Sequence, residues 1–323
     1  MLCLKMSTIR VEEVTAVKPV ELGEGPHWVD SEQALYFVDL LAGGLHRFDP
    51  ATNKHTSTKP AGQRSLSLTV PVSSRRGLHV VAHGRDLSVV EWDGFSANCQ
   101  VRRVLGTVEE GLQSQSGTRF NDGKADPSGR LWAGTMSTEI DIGKPQPRVG
   151  SLYSLEQGGN KIQNRVDNIE ISNGLAWTSD TFYYIDSNDK RVDAFDFDAS
   201  TGDITNRRCV FDYVKNGLSG IPDGMTIDTS GNLWVATFDG SQVLCVDPKA
   251  GKLVTTISIP AHQVTSAAWG GRGLDELYVT TAAIKAQAGK PKAGALFRVT
   301  GLGARGAPAT EVILDQKIIN QLA

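Results

Sequence analysis

Apolar residues gather along this chain in short runs bounded by Gly, Asp, Ser or Pro, as in LYFVD (35–39), LWAGT (131–135), YYID (183–186) and LWVAT (233–237). Runs of four to six residues rich in Val, Tyr, Phe and Trp predict β-strands, and no stretch sustains the three-to-four-residue apolar spacing of an amphipathic helix. A further strand candidate follows each run or its weaker equivalents: GLHRFD (44–49), SVVEWD (88–93), SLYSLE (151–156), VDAFDFD (192–198), VLCVD (243–247) and ALFRVT (295–300). Abundant Asp-Gly, Ser-Gly and Asp-Pro pairs supply the tight turns between them.

The pattern repeats. DPSGRLWAGTM (126–136) aligns with DTSGNLWVATF (228–238), and NGLAWTSDTFYYIDS (173–187) with EGPHWVDSEQALYFVDL (24–40). SLTVPVSSRRGLHVVAHG (67–84) and TSAAWGGRGLDELYVTTAA (265–283) are weaker copies. A period near fifty residues, with about four strands in each of six copies, predicts an all-β chain folded as a six-bladed β-propeller. A pair of sandwiches would lack the repeat, and a β-helix would have a much shorter one. The expected organisation is an extension at 1–10, one propeller at 11–310 and a tail at 311–323. EIDIGKPQPRVG (139–150) and IKAQAGKPKAGA (284–295) read as long loops within blades, where lids are often found.

Composition narrows the function. With 33 basic and 36 acidic residues there is no broad cationic surface for a phosphate backbone, so nucleic acid is not an expected partner. The cysteines at 3, 99, 209 and 245 are scattered, which fits reduced thiols in a cytoplasmic protein. Neither a signal peptide nor an apolar run of membrane-spanning length stands out, and Met6 is a second possible start. A monomer is expected.

The repeat also serves as a ruler. Ten positions before Leu131, Tyr183 and Leu233 stand Asn121, Asn173 and Asp223; eleven before Leu35 stands Glu24. The spacing selects Asn121 over Asp122. Equivalent positions in stacked repeats share one place around the axis, so these four side chains should meet at the mouth of the central channel. In the two weaker copies the count lands on Leu68 and Ala267, which offer no ligand atoms. Two carboxylates and two amides would form a hard oxygen site for Ca²⁺, Mg²⁺ or Mn²⁺; Zn²⁺ is possible but prefers histidine or thiolate. The competing reading is that Asx-Gly and Glu-Gly pairs merely mark turns. The six histidines show no paired spacing and read as structural or surface residues, with a supporting place beside Glu24 as the alternative for His27.

Other motifs carry little. GLGARG (301–306) fits a dinucleotide fingerprint but has too little chain after it for the required βαβ unit, so it reads as a closing turn. The Asp-rich stretch 186–203 lacks EF-hand spacing, and neither a P-loop nor a G-x-S-x-G nucleophile motif is present.

GEGPHW, RFNDGKADPSGRLWAGTM, ISNGLAW, YYIDS, VDAFDFD and PDGMTIDTSGNLWVA closely resemble the regucalcin family, also called senescence marker protein or gluconolactonase, with the insect luciferin-regenerating enzymes as a close branch. The resemblance runs from about residue 10 to 306. It implies a six-bladed propeller that binds one divalent metal ion and hydrolyses sugar lactones. By that resemblance Glu24, Asn173 and Asp223 hold the metal, Arg119 and Asn121 bind substrate, and Glu139 reaches sugar hydroxyls from the lid. Asp223 is the expected proton shuttle. The lid sequence departs from the family, as do the first ten residues and the tail. Alternatives are a calcium-binding regulatory protein without turnover, or a related metal hydrolase acting on organophosphates or luciferin-type substrates.

Overall fold

The computed structural model describes residues 8–60, 62, 65–73, 75–110, 117–138, 148–284 and 292–322. Six four-stranded antiparallel sheets form the expected blades. Five are consecutive in sequence, spanning residues 23–58 (blade 1), 68–107 (blade 2), 118–169 (blade 3), 172–212 (blade 4) and 221–258 (blade 5). Blade 6 takes three strands from residues 263–300 and its fourth from the other end of the chain, where Arg10–Glu13 pairs antiparallel with Phe297–Thr300. That strand closes the ring.

The inner strand of each blade is followed by a hairpin to the second strand, and the repeated DxSGxLW sequence shows what fixes it. Asp126 accepts bonds from the Ser128 and Arg130 backbone amides through one oxygen and from Trp132 Nε1 (3.0 Å) through the other. Asp228 does the same with Ser230, Asn232 and Trp234 Nε1 (3.0 Å). One carboxylate thus holds the turn and the first core indole of the next strand, which is why Asp and Trp recur at this spacing.

Between blades the sheets pack through apolar side chains. Trp132, Leu175, Trp177, Phe182 and Tyr184 join blades 3 and 4, and Ala176, Tyr183, Ile185, Met225 and Val235 join blades 4 and 5. Beyond residue 311 the chain returns to blades 2 and 3: Val312 bridges Val72, Leu314 bridges Gly158, and the short helix Gln316–Gln321 buries Ile318 and Ile319 against Val70, Leu78 and Leu155. Cys99, Cys209 and Cys245 are unpaired thiols. No helix among the described residues is long and apolar enough to cross a membrane.

Candidate metal centre and active site

Glu24, Asn121, Asn173 and Asp223 all lie in the first half of an inner strand, and all four line the same mouth of the channel. They line one cavity of about 130 Å³ together with Arg119, Ser187 and Asn188. The Glu-Gly and Asx-Gly pairs are therefore not turns: each lies inside a strand.

At each of these positions the inner strand carries a β-bulge. Pairing with the second strand skips two residues between Phe120 and Gly123, between Ser172 and Leu175, and between Pro222 and Met225. Asn121, Asn173 and Asp223 are the first of the skipped residues. A bulge bends its strand and re-aims the side chain, here into the channel. In blade 1 the skipped pair is Gly25-Pro26, and Glu24 stands one residue earlier. This explains why its count was eleven rather than ten, and the extra methylene of Glu offsets the shorter reach. The glycines permit close packing of neighbouring blades. A Cβ on Gly174 would stand 2.7 Å from the Asp223 carbonyl oxygen, and one on Gly224 would stand 2.1 Å from Ser266 Oγ.

A hydrogen-bond chain sets the amides. Arg119 Nη1 donates to Asn121 Oδ1 (2.8 Å), Asn121 Nδ2 donates to Asn173 Oδ1 (3.1 Å) and to the Ser172 carbonyl (2.8 Å), and Asn173 Nδ2 donates to Ser187 Oγ (2.8 Å). Asn173 thus presents its oxygen on the side away from Ser187.

Electrostatically the mouth is crowded with negative charge. Burial and then Asp122 push the Glu24 carboxyl up to about 8, against the opposing pull of the Gly25 amide and Arg119. Burial, Glu24 and Asp122 together hold Asp223 well above the usual carboxylate range. Burial lowers Arg119 to about 10, with Glu24 opposing. Asp122, which the register set aside, is buried behind the mouth and is itself raised by burial against the pull of Lys124. Lys124 donates to the Met225 carbonyl (2.6 Å), crossing from blade 3 to blade 5. Asp122 and Lys124 are the electrostatic partners that residue counting missed; NDGK in the sequence contains both, but only the bulge reveals that they sit behind the mouth. Ser187 and Asn188 were missed as well, since they come from a short 3₁₀ turn at Ser187–Asp189 after the second strand of blade 4.

The donor set suits a hard divalent cation. Two buried carboxylates and an oriented amide oxygen converge, and burial followed by mutual repulsion raises both carboxyls, a charge that a divalent cation would offset. No cluster of three or more His, Cys, Asp or Glu with metal-holding geometry occurs among the described residues, so any ion at this mouth would rely on the amide oxygen as well. Glu139 lies outside the described residues. His27 does not join the mouth: it lines a second cavity of about 250 Å³ at the other end of the inner strands, with Lys124, Trp177 and Trp269. Burial, then His79 and Lys124, push its imidazole down to about 3.

Of the two blades without ligands, blade 2 follows the count and blade 6 departs from it. The inner strand of blade 2 pairs without a bulge and puts fully buried Leu68 at the equivalent place. In blade 6 the bulged residue is Thr265, not Ala267, and its hydroxyl donates to the Gly23 carbonyl (2.5 Å) beside Glu24.

Fold and site together define a six-bladed propeller whose channel mouth gathers carboxylates, amides and an arginine from four blades. The chain belongs to the SMP-30/gluconolactonase/LRE-like family, whose model matches residues 22–283. It is 40% identical to regucalcin of Danio rerio over 309 residues, covering 94% of this chain and 98% of that protein. It is 38% identical to regucalcin of Homo sapiens, covering 93% and 97%. Among solved structures it resembles a luciferin-regenerating enzyme, with 39% identity, a TM-score of 0.87 and coverage of 95% of this chain and 100% of that one.

Proposed function

We propose that the protein is a divalent-metal-dependent lactonase of the gluconolactonase type, acting on sugar lactones among its substrates. The observation that carries this reading is the convergence of Glu24, Asn173 and Asp223 from three blades on one cavity that also holds Arg119 and Asn121. Family membership supports it, since regucalcins and a luciferin-regenerating enzyme are similar over nearly the whole chain.

In this reading Glu24, Asn173 and Asp223 hold the ion. When bound, a divalent cation supplies a Lewis acid that polarises an ester carbonyl and acidifies water. Asp223 is the proton shuttle. Lining the cavity beside Glu24 and Asn173, its carboxylate is placed to take a proton from the attacking water. As water oxygen bonds to the carbonyl carbon and the ring C–O bond breaks, that proton passes to the departing ring oxygen, leaving a hydroxy acid. Arg119 orients the substrate: its guanidinium is tied to Asn121 and the Phe120 carbonyl through one nitrogen, which fixes the plane of the fork.

The test is metal replacement. Chelator-stripped protein is given Ca²⁺, Mg²⁺, Mn²⁺ or Zn²⁺ singly and assayed on gluconolactone, with a phosphotriester and a luciferin-type substrate beside it. A hard cation should restore lactone hydrolysis. Saturable Ca²⁺ binding without turnover on any substrate would instead identify a binding protein.

A further inference from the structure

The proposed hydrolysis uses one end of the channel and leaves the cavity of about 250 Å³ at the other end without a role. The same strands build both. His27 follows Glu24, Lys124 follows Asn121, Trp177 follows Asn173 and Thr226 follows Asp223, each three or four residues further along. Four residues of strand span about 13 Å, so the two sites are separate. Blade 6 adds Trp269 to the far wall, and among the described residues no aspartate or glutamate lines it.

The polar groups of this wall are mostly donors. Three of its buried side chains carry a nitrogen with no hydrogen-bond partner among the described residues: His27 Nε2, Trp177 Nε1 and Trp269 Nε1. An unpaired buried donor is a cost that an acceptor on an occupant would offset. Burial holds the His27 imidazole neutral, so the one charge on the wall is Lys124. Its ammonium donates to the Met225 carbonyl (2.6 Å), has no ion-pair partner among the described residues and feels Asp122 only at longer range. Two of its three donors therefore stay uncommitted. Two indoles and three prolines make much of the remaining wall.

A strap of chain covers the cavity. Gly306 is fixed to the Leu274 carbonyl (2.8 Å) and Val312 to the Pro71 carbonyl (2.8 Å), yet residues 307–311 between them make no backbone hydrogen bond to another backbone group among the described residues. Ala307, Pro308, Ala309 and Thr310 line the cavity from this strap. Tied only at its ends, it can lift without opening a sheet.

We propose that this far-end cavity is a second binding site, for a small aromatic carboxylate whose ring packs with Trp177 and Trp269 and whose acid group meets Lys124. It does not rest on the lactonase reading.

The experiment is calorimetric titration of the metal-loaded protein with 2-naphthoate and with its uncharged counterpart 2-naphthamide, with tryptophan fluorescence as a second readout. The expected result is saturable one-to-one binding of 2-naphthoate with Kd of about 0.1–1 mM, about tenfold tighter than the amide. Stripping the metal should leave that affinity unchanged. Lys124→Gln should abolish the preference for the acid and leave the amide within about twofold. Because Lys124 also ties two inner strands, a second variant acts from the exposed strap: Ala309→Trp should fill the cavity and weaken both probes about tenfold or more, with the urea midpoint unchanged. Loss of binding on metal removal would put the probe at the mouth and overturn the proposal. So would no binding, equal affinity for acid and amide, or affinity indifferent to both substitutions. Each of these outcomes leaves the lactonase reading standing, since none reads lactone turnover.

Discussion

Blades 4 and 5 and blades 2 and 6 share one four-stranded frame and use the head of the inner strand for opposite purposes. In blades 4 and 5 a bulge turns Asn173 and Asp223 into the channel, and a glycine follows so that the next blade can come close. In blade 2 the strand runs straight and Leu68 fills the space, its side chain lying where a Cβ on Gly123 would go. In blade 6 the bulge survives, but Thr265 bonds sideways to the strand that carries Glu24. The difference teaches that a propeller need not equip every blade: the bulge makes a position available, and the residue placed there decides between chemistry, filling and bracing.

Exchanging these purposes gives the strongest tests. Asp223→Ala should lower lactone kcat/KM by about a thousandfold or more and weaken metal affinity, with folding stability little changed because the variant relieves crowding with Glu24 and Asp122. Near-normal turnover of this variant with added Mn²⁺ would remove Asp223 from the mechanism. Leu68→Ala should show the converse weighting, a loss of about 3 kcal/mol in urea unfolding, because a fully buried leucine between blades leaves a cavity. A cost under 1 kcal/mol would mean that blade 2 is not a filler at this point.

Arg119→Ala should separate orientation from chemistry. KM is expected to rise about tenfold or more with kcat changed only a few-fold, and a purely kcat effect would place Arg119 in the chemical step. The smallest effect is in pH. Burial pushes His79 of blade 2 down to about 4 from an ordinary 6.5, with Glu32 opposing. The unfolded chain therefore takes up a proton that the folded one refuses. This contribution is complete above pH 6.5 and is lost as pH falls toward 4, on the order of 3 kcal/mol in all. His79→Gln should flatten that part of the stability profile measured by denaturant titration. An unchanged slope would show that the histidine titrates freely.

The six blades were legible in the sequence because short strands recur at a fixed period, most clearly in the hairpins of blades 3 and 5, whose Asp turn and core Trp report directly on local hydrogen bonds. The four residues of the mouth were legible for the same reason, as a fixed distance before a strand. Other features depended on pairing between strands, which a linear count does not hold. The offset of Glu24 and the choice of Thr265 over Ala267 follow from where each bulge falls. The Asp122 and Lys124 pair behind the mouth depends on the same bulge. Ser187 and Asn188 arrive from a 3₁₀ turn after the second strand of blade 4. Neither leaves a periodic trace.

The strand Arg10–Glu13 that completes blade 6 has a consequence for how the protein is made. Arg10 pairs with Thr300, so this strand waits for a segment made much later before its backbone groups find partners. Thr265 reaches the Gly23 carbonyl across 242 residues of sequence. Contacts of such separation form late and slowly. Blades 2 to 5 can collapse on neighbours already present as they leave the ribosome, while the strand bearing Glu24 is braced only after the ring shuts. The mouth of the channel is thus completed at the last stage of folding, and a chain released before blade 6 would carry Glu24, Asn173 and Asp223 without the closed ring that braces the strand of Glu24.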